Sequence, residues 1–184
     1  MAIEFKKLLQ RVRVTAGYVF AIVFIVFCRP SLEFLIAGSL LMILGLLIRA
    51  WACGHLRKIS ELDTSGPYAY TRNPLYLGSF LITIGFAIAS GVWWLGLISI
   101  IFFLGIYLPV INVEKNELKE VLGDEYRVYA AGVPIFIPRL TPWKHSQRRF
   151  DFQLYLKHGE YLAAIGVALT LVVLGVKGYL IGSL

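Results

Sequence analysis

The sequence predicts an all-α integral membrane protein, and three observations predict it. The chain is 58% hydrophobic and only 16% charged, with a mean hydropathy of +0.73. Soluble domains carry roughly 45–50% apolar and about 25% charged residues, so this chain is too apolar to be one. Its apolar residues gather in runs close to the roughly 20 residues that a spanning helix needs. Its lysines and arginines lie almost wholly on one side of those runs. The 184 residues suit a single membrane domain, 1–184, rather than two domains.

About five transmembrane helices follow, at 12–28, 32–50, 75–91, 92–111 and 161–180. The first begins near a basic N-terminus. No A-x-A-like cleavage site precedes Arg29, so it reads as a span and not a signal peptide. The first and third are short enough to be tilted or partly re-entrant. Pro109 should kink the fourth and free the carbonyl of Gly105. Lys177 lies near the end of the fifth, where its stem can reach the interface. With the N-terminus cytoplasmic, every one of the 18 lysines and arginines except Arg29 and Lys177 falls on the cytoplasmic side. That asymmetry, with attraction to anionic lipid headgroups, accounts for the net charge of +7 without nucleic acid. The expected location is therefore a multi-pass membrane protein with a cytoplasmic N-terminus.

The connections are unequal. On the outer side they are minimal, at Arg29-Pro30-Ser31 and near Gly91. The two large polar segments, 51–74 and 112–160, are cytoplasmic, so a site needing charge and water belongs there. Residues 112–131, NVEKNELKEVLGDEYRVYAA, read as an amphipathic helix with Leu118, Val121, Leu122, Tyr126 and Tyr129 at helical spacing, interrupted at Gly123. GVPIFIPRLTPW then breaks it with three prolines. Residues 143–159 mix aromatic and basic side chains, as an interfacial segment does. Cys28 and Cys53 form no disulfide framework, and His55, His145 and His158 have no metal-ligand spacing.

The most polar chemistry sits in GPYAYTRNPLYLG, from Gly66 to Gly78. Gly66-Pro67 marks a turn. Pro74 suits the first position of a helix and Asn73 its N-cap, so a span should begin at Pro74. Such a start offers backbone N–H groups to a carboxylate or phosphate. The plain structural alternative is that Asn73-Pro74 only caps a helix.

This stretch, followed after one span by VEKNELKEVLGDEYRVYAAGVPIFIP, resembles the isoprenylcysteine carboxyl methyltransferase and phospholipid methyltransferase superfamily. The family pattern is G-x-Y-x-x-x-R-H-P-x-Y-x-G, then a helix with an acidic start ending in F-G-x-x-Y-x-x-Y-x-x-x-V-P. The resemblance covers about 45–140. The last span, about 161–180, is extra to the shared core. It implies S-adenosylmethionine as methyl donor, a cytoplasmic cofactor pocket, and a lipophilic small-molecule or lipid substrate arriving from the bilayer. Matched residue by residue, it implies cofactor contacts from Ser60, Glu61, Leu62, Asp63, Tyr68, Asn73, Pro74, Leu75, Tyr76 and Glu114. Arg72 and Glu114 are the implied catalytic residues. Those types suit the cofactor: carboxylates accept from a ribose diol or ammonium, tyrosines face a sulfonium, and a helix start takes a carboxylate. Glu114, Glu117 and the tyrosines also have ordinary readings, as acids favouring a helix dipole and as packing.

Two departures bear on the substrate. Asn73 stands where the family has a histidine, so proton handling at that position is lost. Val110 stands four residues before Glu114, where isoprenylcysteine enzymes have an arginine for the substrate carboxylate. An apolar residue cannot pair a carboxylate in a dry site. This speaks against a prenylcysteine carboxylate unless Arg72 or another basic residue substitutes. The sequence thus predicts a membrane methyltransferase acting on an amphiphile, with a carboxylate, amine or thiol nucleophile. A non-catalytic membrane binding protein that keeps the fold is the alternative from another class.

Overall fold

The computed structural model describes residues 19–57, 62–144 and 148–182. These residues form helices and connecting turns, with no strand among them. Residues 19–27 are helical (α1), followed by α2 (Leu32–Cys53), a 3-10 turn (Gly66–Ala69), α3 (Pro74–Ala89), α4 (Trp93–Gly132), α5 (Phe152–Lys157) and α6 (Tyr161–Leu180). Helices α2, α4 and α6 are long and apolar enough to cross a membrane, and α3 is an apolar helix of 16 residues. Part of the first expected span, 12–18, lies outside the described residues. Large apolar side chains such as Leu40, Leu47, Leu162, Leu169 and Val172 point outward, as expected where the surroundings are hydrocarbon and not water.

Helices α2 and α3 are joined along a glycine seam. Gly38 and Gly45 of α2 face Gly85 and Gly78 of α3, seven residues apart on each helix and in antiparallel order. A Cβ built on Gly45 would lie 2.5 Å from the carbonyl oxygen of Gly78, and one built on Gly85 would lie 2.6 Å from that of Gly38. Only glycine permits this backbone approach, which gives dispersion contact where no hydrophobic effect drives helices together.

The short connections at one end of the bundle also touch. The Arg29 N–H donates to the Ser90 carbonyl at 2.7 Å. Gly91 has φ +65°, and a Cβ there would overlap the Arg29 carbonyl. At this same end Lys177 of α6 donates to the carbonyls of Ile25 and Val26 in the last turn of α1. Its ammonium therefore satisfies helix-end acceptors rather than merely reaching the interface. Phe24, Met42, Ala89, Leu95, Val167 and Leu174 bring five helices into one core.

One expectation for α4 needs correction. The span does not end near Ile111 with a separate helix beyond it. No breaker stands between Ile111 and Glu120, and one helix runs on through both. Helical dihedrals run on through Pro109 and are interrupted where the sequence expects it, at Gly123, with φ 52° and ψ −122°. The stretch Trp93–Leu122 is about 45 Å long at ~1.5 Å per residue, longer than the ~30 Å hydrocarbon layer. It carries Glu114 and Glu117 on the same rigid rod as the apolar span. Beyond Gly123, Tyr126, Tyr129 and Val133 make a second small core with Leu118 and Leu122, while Val121 is exposed.

Candidate functional site

The site is assembled at the end of the bundle opposite Arg29 and Lys177. Its floor is the motif 66–78. Gly66 takes φ +54°, and Gly66–Ala69 makes one 3-10 turn that buries Tyr68. Helix α3 begins at Pro74 with Asn73 as N-cap residue, but the Asn73 side chain makes no cap hydrogen bond. Its amide donates to the Ile135 carbonyl at 2.9 Å instead.

That bond belongs to a zip between the motif and the proline-rich segment after α4. The Arg72 N–H donates to Pro134, the Arg139 N–H to Tyr70 and the Trp143 N–H to Ala69, at 2.9, 3.0 and 3.0 Å. The Thr71 hydroxyl donates to the Phe136 carbonyl at 3.0 Å. Tyr129 adds its hydroxyl to the Tyr68 carbonyl at 2.8 Å. Prolines give this segment fixed φ and spare carbonyls, so a stretch without regular structure holds the motif in one register.

Above the floor lies a cavity of about 860 Å³. Leu62, Asp63, Tyr68, Arg72, Asn73, Pro74, Leu75, Tyr76 and Glu114 all line it. Ser60 and Glu61 lie outside the described residues. The Tyr76 hydroxyl donates to Glu114 Oε1 at 2.7 Å, which joins the start of α3 to α4 across the cavity. Asp63 accepts from the Arg57 N–H at 2.7 Å, and Arg148 stands 3.5 Å from its other oxygen. The Arg72 guanidinium reaches Tyr126 at 3.4 Å.

Among the described residues, two buried donors in the lining have no partner: the Tyr68 hydroxyl and Arg72 Nε. Tyr68 is 7% exposed. Burial pushes its phenol well above the usual tyrosine range, with nearby ionisable groups, Asp63 and Glu114 among them, adding to the shift. The hydroxyl therefore stays protonated and able to donate. A buried donor left unmatched costs about 1–3 kcal/mol, which a bound acceptor group would recover.

The cavity also takes in residues that the sequence reading missed or gave other roles. Nothing in the sequence assigns Arg49, Arg57, Lys115 or Tyr107 to it. Glu117, which spacing reads as a dipole acid, and Tyr126 and Tyr129, which it reads as packing, line it as well. Arg49, an arginine in an otherwise apolar run, was the available signal. His158, after α5, lines the cavity too; it had no signal, since it is distant in sequence from the motif. Val110 is absent from the lining. Phe102 and Ile106 carry the cavity along α4 toward the apolar span, so from Glu114 to Phe102 it follows the helix for about 18 Å.

The α5–α6 segment is fastened to this wall. Arg49 Nε and Nη2 donate to the two carboxylate oxygens of Glu160 at 2.9 and 2.6 Å. Its remaining nitrogen reaches Ser79 and the Leu75 carbonyl. Phe150 packs on Gly54 and on the ring of His55.

The family model described as phospholipid methyltransferase matches residues 34–125, half of the chain. The chain is 32% identical over 113 residues to the nickel-cobalt-cadmium resistance protein NccN of Alcaligenes xylosoxydans xylosoxydans, covering 60% of this chain and 53% of that one. It is 31% identical over 98 residues to the cobalt-zinc-cadmium resistance protein CzcN of Cupriavidus metallidurans, covering 52% and 45%. It is 28% identical over 121 residues to the protein-S-isoprenylcysteine O-methyltransferase of Schizosaccharomyces pombe, covering 63% and 51%. The chain thus spans about half the length of the curated relatives it matches. No solved structure matches it. Among the described residues no group of three or more His, Cys, Asp or Glu is placed to hold a metal ion.

Proposed function

The chain belongs to the phospholipid methyltransferase family, and from that membership we propose that it is a membrane-embedded methyltransferase acting on an amphiphile reached from the bilayer. The donor in this reading is S-adenosylmethionine, whose sulfonium supplies an electrophilic methyl group. The observation that carries the reading is the cavity lined by two unmatched buried donors, Tyr68 and Arg72, with the Tyr76–Glu114 pair between them and the apolar span. These residues fit the donor. Tyr68 and Arg72 would offer hydrogen bonds to its oxygens or ring nitrogens, and Glu114 would accept from a diol or an ammonium. The volume lies within the ~300–1,000 Å³ of small-molecule sites.

The shape supports an amphiphilic acceptor. The cavity is polar at Asp63, Arg72 and Glu114 and apolar at Phe102, Ile106 and Ile111, so a polar head and a hydrocarbon body both find matching walls. This chain's residues have two tasks: to hold the two reactants in line, which can supply most of the rate of a methyl transfer, and to keep water from the reacting atoms. In this reading the membrane arrangement is five spans with the N-terminus and the site cytoplasmic. The minimal connections at Arg29–Ser31 and Ser90–Val92 at one end, and the site at the other, support it.

Calorimetric titration of the purified protein in detergent with S-adenosylhomocysteine tests the reading. Saturable binding that Tyr68→Phe weakens is the expected result. No binding at millimolar ligand would overturn it.

A further inference from the structure

Asn73 leaves the site without the family's histidine, and the structure shows that this asparagine is committed to the Ile135 carbonyl. A nucleophile that arrives protonated, an ammonium or a thiol, still needs somewhere to leave its proton. The carboxylates around the cavity are already engaged: Asp63 by the Arg57 N–H, Glu114 by Tyr76 and Glu160 by Arg49, and Glu117, the third acid of the lining, is not free either. Tyr68 is held as a neutral phenol, a donor and not a base.

His158 differs from all of these. It lines the same cavity and is exposed at its rim. Its Nδ1 lies 2.7 Å from the Leu154 carbonyl. A carbonyl only accepts, so Nδ1 carries a proton in either charge state of the ring. Nε2 is then the nitrogen left to accept a proton, and among the described residues it has no hydrogen-bond partner. Two residues further on, Glu160 makes the two-pronged pair with Arg49, itself a lining residue. That pair fixes the segment carrying His158 against the wall. The charged groups that share the cavity with it are Arg49, Arg57, Arg72 and Lys115 on the one hand and Asp63, Glu114 and Glu117 on the other.

We propose that His158 is the proton acceptor of this site, supplied by a segment that lies beyond the matched family region, and that the acceptor substrate is accordingly an amphiphile with an N–H or S–H nucleophile. This rests on the methyltransferase reading above. His158 Nε2 takes the proton from the head group, and the freed electron pair forms the bond to the methyl carbon. The carbon–sulfur bond breaks with its electrons passing to sulfur, which becomes a neutral thioether. The proton leaves Nε2 to bulk water at the rim. A carboxylate acceptor would arrive deprotonated and need no such group.

The test compares the parent with His158→Gln, which keeps a hydrogen-bonding side chain but cannot titrate. S-adenosylhomocysteine affinity should change less than twofold. Absence of binding in both proteins would instead sink the methyltransferase reading itself. With dodecylamine and dodecanethiol as probes in micelles, transfer at pH 7 to the preferred one should fall roughly a hundredfold in the variant, as for loss of a general base. The variant's rate should keep climbing with pH until the nucleophile deprotonates unaided. In 15N-histidine-labelled parent protein, the His158 Nε2 resonance, identified by its loss in the variant, should shift when the preferred probe is added and not with dodecanoate. An unchanged rate and pH profile in His158→Gln, an unmoved Nε2 resonance, or faster methylation of dodecanoate than of either probe would overturn the proposal.

Discussion

Glu114 gains a partner that no spacing argument could supply: the Tyr76 hydroxyl, 38 positions away and 2.7 Å distant. A glutamate placed only for a helix dipole contributes about 0.3–1 kcal/mol, whereas a charge-assisted hydrogen bond to a ligand contributes about 1.5–3. Glu114→Gln should therefore weaken S-adenosylhomocysteine binding at least about tenfold while the protein stays folded. Glu117 also lines the cavity and is no control. Exposed Glu120 is one, and Glu120→Gln should match the parent in the same calorimetric titration. Tyr68 gives a prediction in pH. Its folded pKa lies above the unfolded value near 10, so its contribution to stability is intact below about pH 10 and is lost as pH rises through the folded value. The melting temperature of Tyr68→Phe should fall less steeply above pH 10 than the parent's. The sequence placed Tyr68, Asn73 and Glu114 correctly on turn, cap and helix, because turn chemistry and helix starts are local. It could not show that the Asn73 amide is spent on Ile135, because that carbonyl is presented by a proline-rich segment with no periodicity to read.

Among the elements, the α2–α3 seam makes the sharpest demand. Both helices were plain from hydropathy, but their pairing was not, since four glycines in apolar runs carry no visible register. Leucine at Gly45 meets the Gly78 backbone, and backbone cannot swing aside as a side chain does. Gly45→Leu should lower the melting temperature in detergent by several degrees, the equivalent of about 1–3 kcal/mol for overpacking. Gly166→Leu on α6, where nothing lies within 4 Å, should leave it unchanged. Equal shifts in the two variants would mean that the seam is not a tight contact. Helix α4 shows the opposite limit of sequence reading. Hydropathy falls at Ile111, and a boundary was inferred there. Backbone continuity depends instead on the absence of a breaker, and the glycine at 123 supplies the first one.

For the whole molecule, the charge asymmetry and the two ends of the bundle lead to one test. A reporter fused after Gly91 should be external and one after Lys157 internal. The C-terminus of α6, whose Lys177 holds the end of α1, should be external. An internal C-terminus would remove one crossing and point to α6 as the helix that does not span. The class of fold was readable because a bilayer imposes run lengths. The part played in the cavity by the connection between α5 and α6, through His158, was not, because its anchor, Glu160 on Arg49, joins residues 111 positions apart.

One of those contacts, between Arg49 and Glu160, has a consequence for biogenesis. The ribosome finishes α2, with its arginine, 111 residues before the glutamate that answers it exists. Until then Arg49 must rely on Ser79, on the Leu75 carbonyl, or on water and phosphate at the membrane surface. The nascent chain therefore carries an open charge until Glu160, at the start of α6, has been made, and the wall of the site is not fastened before then. A chain stopped at Gly159 should insert its earlier helices and yet be recognised by membrane quality control as unfinished, with a shorter half-life in a pulse-chase than the full chain. Arg49→Met should lengthen the life of the truncated chain by removing the charge that marks it.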